Sequence, residues 1–569
     1  MKTILKPIKN KIPQVLLIFI CIIVEVYCSL TLPVYTANIV DIGIKNTDVN
    51  YIIYIGSYMI LMVGIMALMS ILSSYFSSTV FSGYGRDLRR ILYKKVLKFS
   101  NQELNNISKS SLITRSINDI DQLQGGLGMI FTTLVLAPIL GVGSIIKAFE
   151  IGSDLSWIII VTFIGIIILF IIMLIRIAPY FRLMQELTDK VNEISREILI
   201  GIPVIKAYVR QDYEEKRFEK TNKQLFDTNR LVFHNVLIMI PLLSLILNVM
   251  IIFILYFGAY GAIKGSILTG QIIAFIQYST QIVSSFLMLG GVMIILPRII
   301  VSRKRVSEVL NTPLTIVDGE INQIEDNPIL EFRNVSYKYP QSEKESVKNI
   351  NFTLKPGKTT AIIGRTGSGK STILNLIPRL QDPTSGEILI NNINIKNFNL
   401  KTLRNKISYA PQSTFLFQES VKSNILIGKK NASDEEINNA LKLAGADFIN
   451  DIDSEVLQGG SNFSGGQKQR LSIARAIINE ASFYLFDDCF SALDMNTERI
   501  VKNNIKNLLK DSSILIVSQR ISTIMDADEI IVMDDGEILE RGTHDELKKS
   551  CALYAEIVNS QIDNMKVEL

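Results

Sequence analysis

The sequence predicts a multidomain membrane protein: an all-α half with six membrane-spanning helices, then an α/β half built around a phosphate-binding loop. Three observations predict it. Apolar runs long enough to cross a bilayer recur up to about Arg298. After Asn327 the composition is that of a soluble α/β protein. Within that second part, Gly364-Arg365-Thr366-Gly367-Ser368-Gly369-Lys370-Ser371 fits G-x-x-x-x-G-K-[ST]. Whole-chain averages hide the division: 48% of the 569 residues are hydrophobic, and mean hydropathy is +0.30.

The spans are expected near Val15–Tyr35, Tyr51–Leu72, Met129–Phe149, Trp157–Ile177, Val236–Tyr256 and Ile272–Pro297. The second, fourth and fifth run on into charged, amphipathic helical sequence without a turn signal, as in Tyr84–Phe99 and Arg182–Tyr208. Long cytoplasmic helix extensions follow from that. The basic start reads as a flank of the first span, not a signal peptide, because the apolar run is too long and no small-residue cleavage site follows.

Charge placement orients the spans. Lys2, Lys6, Lys9 and Lys11 precede the first, and Arg86, Arg89, Arg90, Lys94, Lys95 and Lys98 follow the second. Arg210, Lys216, Arg217 and Lys220 follow the fourth, and Arg298, Arg303, Lys304 and Arg305 the sixth. The opposite loops (Asp41–Asn50, Glu150–Asp154, Lys264–Gly270) are short and poor in positive charge. The positive-inside rule then makes both ends cytoplasmic. The net charge of +5 belongs to this topology and not to nucleic-acid binding. Two cytoplasmic excursions, Ser110–Ile120 and Gln211–Glu219, are expected as short helices touching the second half.

Polar groups inside the spans are functional candidates. Glu25 sits mid-span, where a carboxylate is expensive. Gln277, Gln281, Ser284 and Met288 recur at helical spacing in the last span. Each set serves either a substrate pathway or helix–helix hydrogen bonding. Cys21, Cys28, Cys489 and Cys551 form no disulfide framework and read as small apolar fillers.

The expected domains are residues 1–310 (membrane), 311–328 (a polar linker with Pro313, Gly319 and Pro328) and 329–569 (soluble). In the last, Thr359–Ile363 reads as a buried strand before the loop, and Ser371–Leu376 as the helix after it. Glycines let successive backbone N–H groups point inward. Lys370 reaches the β- and γ-phosphates, and the Ser371 hydroxyl ligates Mg²⁺, with Thr372 following it. Phe483-Tyr484-Leu485-Phe486-Asp487 is an apolar strand ending where a Mg²⁺-holding aspartate belongs. Between the two lies Ser464-Gly465-Gly466-Gln467 before a helix, a second anion site.

The order of phosphate-binding loop, Ser-Gly-Gly-Gln and strand-Asp resembles the nucleotide-binding domain of ABC transporters. Six preceding spans make nearly the whole chain resemble a half-transporter of the exporter type. The resemblance implies an α-helical signature subdomain, and ATP and Mg²⁺ as cofactors. It implies that Tyr339 stacks on adenine, and that Gln412 is the Q-loop residue at the metal. Ser491–Asp494 would be the D-loop, and Ser454–Gly460 the stretch that meets the intracellular loops. Two such domains pair head to tail in this family, so Ser464, Gly465 and Gly466 would serve the partner's ATP.

Two positions depart from the family's hydrolytic pattern. Asp488 stands where the general-base glutamate is usual, and Gln519 where the switch histidine is usual. Phe463 replaces the usual leucine before the signature. The departures imply a chain that binds ATP and hydrolyses it slowly, paired with a homologous half-transporter. A homodimer with slow turnover is the alternative. The expected activity is ATP-driven export of a drug, lipid or peptide across the cytoplasmic membrane, in a bacterium by the Asn-, Ile- and Lys-rich composition. An exporter-fold importer of an iron chelate and a nucleotide-gated channel or sensor are the rivals.

Overall fold

A computed structural model describes residues 11–151, 155–340 and 342–567. Lys2, Lys6, Lys9 and Asp154, used above for topology, lie outside these residues. The chain divides into two compact units, Met1–Lys95 with Ser110–Asn311, and Val96–Lys109 with Thr312–Leu569.

The first unit is helical. Its elements are α1 (Ile12–Asn38), α2 (Val49–Val96), then, beyond the short α3 (Asn101–Asn106), α4 (Lys109–Thr114), α5 (Ile120–Ile151), α6 (Ser156–Ala207), α7 (Gln211–Ile263) and α8 (Thr269–Asn311). Among the described residues six helical stretches are long and apolar enough to cross a membrane. The expected extensions are there: α2, α6 and α7 run unbroken for 48, 52 and 53 residues. At 1.5 Å per residue, 52 residues reach about 78 Å, more than twice a hydrocarbon core of about 30 Å. Residues that are polar every third or fourth position let these helices leave the membrane without breaking.

The second unit holds two sheets. β1 (Leu330–Tyr337), β2 (Val347–Leu354), β4 (Ser385–Ile390) and β5 (Ile393–Asn394) form an antiparallel sheet in the order β2-β1-β4-β5. β3 (Thr359–Gly364), β6 (Ile407–Ala410), β7 (Phe483–Asp487), β8 (Ser513–Val517), β9 (Glu529–Asp534) and β10 (Glu537–Gly542) form the second, in the order β10-β9-β3-β8-β7-β6. Here β3 pairs in parallel with β8 and β9, and β7 with β6 and β8. Every residue of β7 and β8 is buried, as sheets covered on both faces require. The helices are α9 (Lys370–Leu376), α10 (Leu400–Asn405), α11 (Val421–Leu426), α12 (Asp434–Leu443), α13 (Gly465–Ile477), α14 (Met495–Leu508), α15 (Ile521–Ile524), α16 (His544–Ser550) and α17 (Ala552–Val567). α11 to α13 fall between β6 and β7 and supply the expected helical subdomain.

The first excursion, Ser110–Ile120, is helical, and the chain changes unit just before it. Ser110–Ile120 belongs with the membrane helices, whereas the segment just before it, Val96–Lys109, is part of the ATP-binding unit. The reason is Glu103, only 2% exposed. Its carboxylate accepts from the Ser100 backbone N–H at 2.7 Å, closing a capping box on α3, and from the Thr315 N–H at 2.6 Å. Ser100 Oγ also lies 2.9 Å from Thr315 Oγ1. The linker is docked in the same way: Asp318 accepts from Leu400 N at 2.7 Å, and Ile321 exchanges backbone bonds with Asn397 and Asn399. The second excursion is the start of α7, tied to α6 by Arg217 and Glu197 at 2.7 Å.

Glu103→Ala strands buried donors at Ser100 and Thr315. The expected cost is about 3 kcal/mol for the docking of α3, read as faster proteolysis within 96–109. An unchanged cleavage rate would refute the role given to Glu103.

Candidate functional site

In a parallel sheet, ligands sit outside the carboxyl ends of the strands. Here β3, β8, β7 and β6 end side by side around a cavity of about 380 Å³. β3 delivers the glycine-rich loop, β7 delivers Asp487 and Asp488, β8 leads to Gln519, and β6 leads to Gln412. Residues far apart in sequence meet because the sheet order places β3 beside β8 and β8 beside β7.

The loop needs its glycines. Gly369 has φ +94°, and a Cβ there would lie 2.3 Å from the Ser346 carbonyl oxygen. A Cβ on Gly364 would lie 2.0 Å from the Met533 carbonyl oxygen. Lys370 is buried, and its ammonium donates to the carbonyls of Gly364 (2.9 Å) and Arg365 (2.7 Å) and to Ser368 Oγ (3.2 Å). Thr366, Gly367, Ser371 and Thr372 also line the cavity. Arg365 instead turns outward to Glu556, 3.4 Å away, an exposed ion pair.

The Ser371 hydroxyl donates to Asp487 Oδ1 at 3.0 Å, and Tyr409 OH to Asp487 Oδ2 at 3.4 Å. Two oxygens about 3 Å apart match neighbouring ligands of an octahedral ion bound at 2.0–2.1 Å, the Mg²⁺ geometry. Gln412 lines the same cavity. Among the described residues no group of three His, Cys, Asp or Glu side chains is placed to hold a metal by itself. The set therefore fits an ion completed by phosphate oxygens, as Mg²⁺ prefers.

Asp488 adopts φ +45°, a left-handed conformation that aspartate tolerates. Its N–H donates to the Val517 carbonyl at 2.8 Å, which fixes the turn. Its Oδ2 accepts from Gln412 Nε2 at 3.3 Å. Gln519 lines the cavity opposite the loop. His544 is elsewhere, with Nδ1 2.8 Å from Tyr554 OH. Tyr339 sits at the rim, half-buried, its OH 3.3 Å from Thr372 Oγ1 and its ring edge-on to Tyr337.

Ser464, Gly465, Gly466 and Gln467 do not line this cavity. Ser464 caps α13, with its Oγ accepting from Gln467 N at 3.3 Å and Gln467 Oε1 accepting from Ser464 N at 2.8 Å. Both side-chain bonds are exposed. Sequence reasoning missed the role of Tyr409, since a tyrosine in a four-residue strand carries no signal of what its hydroxyl meets.

The membrane candidates separate. Gln281 is satisfied between helices: Ser144 Oγ donates to its Oε1 at 2.8 Å, and its Nε2 donates to the Ser29 carbonyl at 3.1 Å. That is helix–helix bonding, not a free polar face. Gln277 is half-buried on the same helix. Glu25 lines a cavity of about 450 Å³ walled by serines of α2, including Ser70, Ser73 and Ser77. The four cysteines are free and buried, as fillers should be.

Charge is concentrated in the nucleotide cavity. Burial pushes the Asp487 carboxyl up, with the neighbouring Asp488 charge adding to it, and burial raises Asp488 as well. Burial lowers Lys370, opposed by the charges of Asp488 and Asp487. A carboxylate whose folded pKa is raised binds protons more tightly folded than unfolded, so stability is lost as pH rises through that window. Asp487→Asn should therefore raise the Tm of the nucleotide-free protein at pH 7.5, with a gain that shrinks toward pH 5. A gain independent of pH would sink this account.

Comparison with known proteins agrees with this geometry. The ABC transporter transmembrane region matches residues 15–286, and the ABC transporter model matches residues 347–491. YfiB of Bacillus subtilis, an uncharacterized ABC transporter ATP-binding protein, is 37% identical over 550 residues, covering 95% of each chain. An uncharacterized ABC transporter ATP-binding protein of Mycobacterium tuberculosis is 35% identical over 554 residues, covering 95% of this chain and 94% of its own. A provisionally named multidrug export ATP-binding/permease protein of Staphylococcus aureus is 33% identical over 490 residues, covering 84% and 83%. The structure of a bacterial Atm1-family ABC exporter with ATP bound shares the fold, with TM-score 0.81, 23% identity, and 96% and 98% coverage. The chain belongs to the ABC transporters: it is an exporter-type half-transporter, a membrane-embedded subunit that dimerises, binds ATP with Mg²⁺ and couples ATP hydrolysis to transport.

Proposed function

We propose that this chain is the subunit of a heterodimeric exporter whose own ATP site binds well and hydrolyses slowly. The observation that carries the reading is the contrast inside one cavity. Lys370, Ser371, Asp487 and Gln412 converge as a binding set, while the two positions that activate water hold Asp488 and Gln519.

Lys370 holds the β- and γ-phosphates, donating charge-assisted hydrogen bonds. The loop from Gly364 to Ser368 wraps the phosphates with backbone N–H groups. Ser371, Asp487 and Gln412 hold Mg²⁺, which neutralises phosphate charge when bound. Tyr339 stacks on the adenine from the rim. Asp488 faces the water position from a side chain one methylene shorter than glutamate. A shift of about 1 Å in a reacting group costs on the order of 100-fold in rate. Gln519 donates a hydrogen bond there without the charge an imidazole carries. Ser464, Gly465, Gly466 and Gln467 serve the partner's ATP, a reading their exposed position outside the cavity supports.

The cargo is a drug, lipid or peptide, and the multidrug-export name of the S. aureus relative supports a drug. The exporter-type fold supports export over the importer and channel readings. The membrane is the bacterial cytoplasmic membrane, with both termini inside by the lysine and arginine placement.

Two measurements test this. Lys370→Ala should weaken Mg·ATP binding about 10- to 100-fold, the loss of a charge-assisted hydrogen bond set of about 1.5–3 kcal/mol. Steady-state hydrolysis by the chain alone should be slow, and Asp488→Glu with Gln519→His should raise it by at least about tenfold. Brisk turnover of the lone chain, unchanged by the double substitution, overturns the weakened-site reading.

A further inference from the structure

The C-terminal helix α17 carries a side chain that the site description does not use. Tyr554 and Val558 are buried in the core of the ATP-binding unit and fix the helix. Gln561 lies seven residues after Tyr554 and three after Val558, and so falls on the same face. Its Nε2 donates to the Gln519 carbonyl at 2.7 Å, and its Oε1 accepts from the Ile521 N–H at 2.8 Å. Only this orientation of the amide satisfies both partners, since a carbonyl must accept and an N–H must donate.

Both contacts fall where the backbone has no other provision. Ile521 is the first residue of α15, and the preceding cap residue, Arg520, makes no side-chain capping bond. The first N–H groups of a helix lack intrahelical partners. Gln561 supplies from 40 residues downstream what a serine or aspartate cap supplies locally. Around Gln519 the grip is two-sided: its carbonyl is held by Gln561, and the N–H of the preceding Ser518 donates to the Ile362 carbonyl at 3.3 Å. The Gln519 side chain lines the cavity, so its aim is set by a backbone held from both ends. The other contact of α17 with the site, Glu556 to Arg365 at 3.4 Å, is exposed on both sides and contributes little.

We infer that Gln561 is a positioning residue for ATP hydrolysis: through the Gln519 carbonyl and the Ile521 N–H it holds the segment Ser518–Ile521 in the conformation that aims Gln519 at the nucleotide cavity. The docking of the C-terminal helix is thereby coupled to turnover at this chain's own loop. The inference goes beyond the weakened-site reading, because a held segment is required whether that site turns over slowly or fast.

The test uses the full-length chain with Gln561→Leu, which keeps an apolar stem of similar bulk and removes both bonds, and Gln561→Glu, which keeps the acceptor and loses the donor. Amide hydrogen exchange at Ile521 is read first and needs no turnover. It should accelerate by at least about tenfold in Gln561→Leu, as loss of a net hydrogen bond of about 1 kcal/mol or more implies, and less in Gln561→Glu. Single-turnover hydrolysis of prebound ATP should fall about tenfold in Gln561→Leu. Half-saturation by Mg·ATP should stay within twofold, and Tm should hold. Unchanged exchange at Ile521 together with unchanged turnover overturns the inference. So does a parallel fall of binding, turnover and Tm, which would make Gln561 a prop for the fold alone. A weakened-site reading that fails, with a briskly active lone chain, leaves the exchange result standing and makes the turnover arm easier to read.

Discussion

A buried ammonium opposed by two buried carboxylates sets the terms for the ATP-binding half. Lys370, Asp487 and Asp488 lie within one cavity, and burial disfavours the charged form of each. Charges removed from water need geometry that compensates them. The rest of the domain provides it. Lys370 is bonded to two loop carbonyls and a hydroxyl. Asp487 is bonded to Ser371 and Tyr409, and Asp488 to Gln412. These bonds need the strand ends in register, which needs the fully buried β7 and β8 between β6 and β3. The site is thus a cluster of incompletely neutralised charge, complementary to a phosphate chain with its Mg²⁺.

The same logic appears at the start of the ATP-binding unit. A buried carboxylate, Glu103, is compensated by backbone donors from two separate stretches, residues near Ser100 and near Thr315. A segment that leaves the membrane helices at Val96 and returns at Lys109 is thereby built into the soluble unit. The stretch after α8 is built in too, through Asp318 and Ile321. The segments next to all three chain crossings, Val96–Lys109 and the stretch from Thr312, are therefore ordered parts of the nucleotide-binding unit.

Asp488 and Gln519 face the same cavity. The Asp488 carboxylate accepts from Gln412, and the Gln519 carbonyl accepts from Gln561. The shortened carboxylate and the uncharged amide line a single cavity.

Much of this was legible in the sequence, for a physical reason: it depends on local periodicity and local sterics. Apolar runs of span length, strand-like runs ending in glycine or aspartate, and glycines at the loop positions identify themselves without neighbours. The six helices, β3, β7 and the meeting of Lys370, Ser371 and Asp487 follow from them, whereas Gln412 was assigned only through the family resemblance. What tertiary structure decided depends on partners distant in sequence. For Gln281 the sequence left a pathway and helix–helix bonding open, and the fold holds it between Ser144 and Ser29, on two other helices. The stretch just before Ser110–Ile120 gave no sign of its place, yet the buried Glu103 builds it into the ATP-binding unit through Thr315. Tyr409 and Gln561 gave no signal, because a hydroxyl or an amide acquires meaning only from what stands within 3.5 Å of it. Sequence determines which segments become helix, strand and phosphate loop; the fold determines which polar groups find one another once water is excluded.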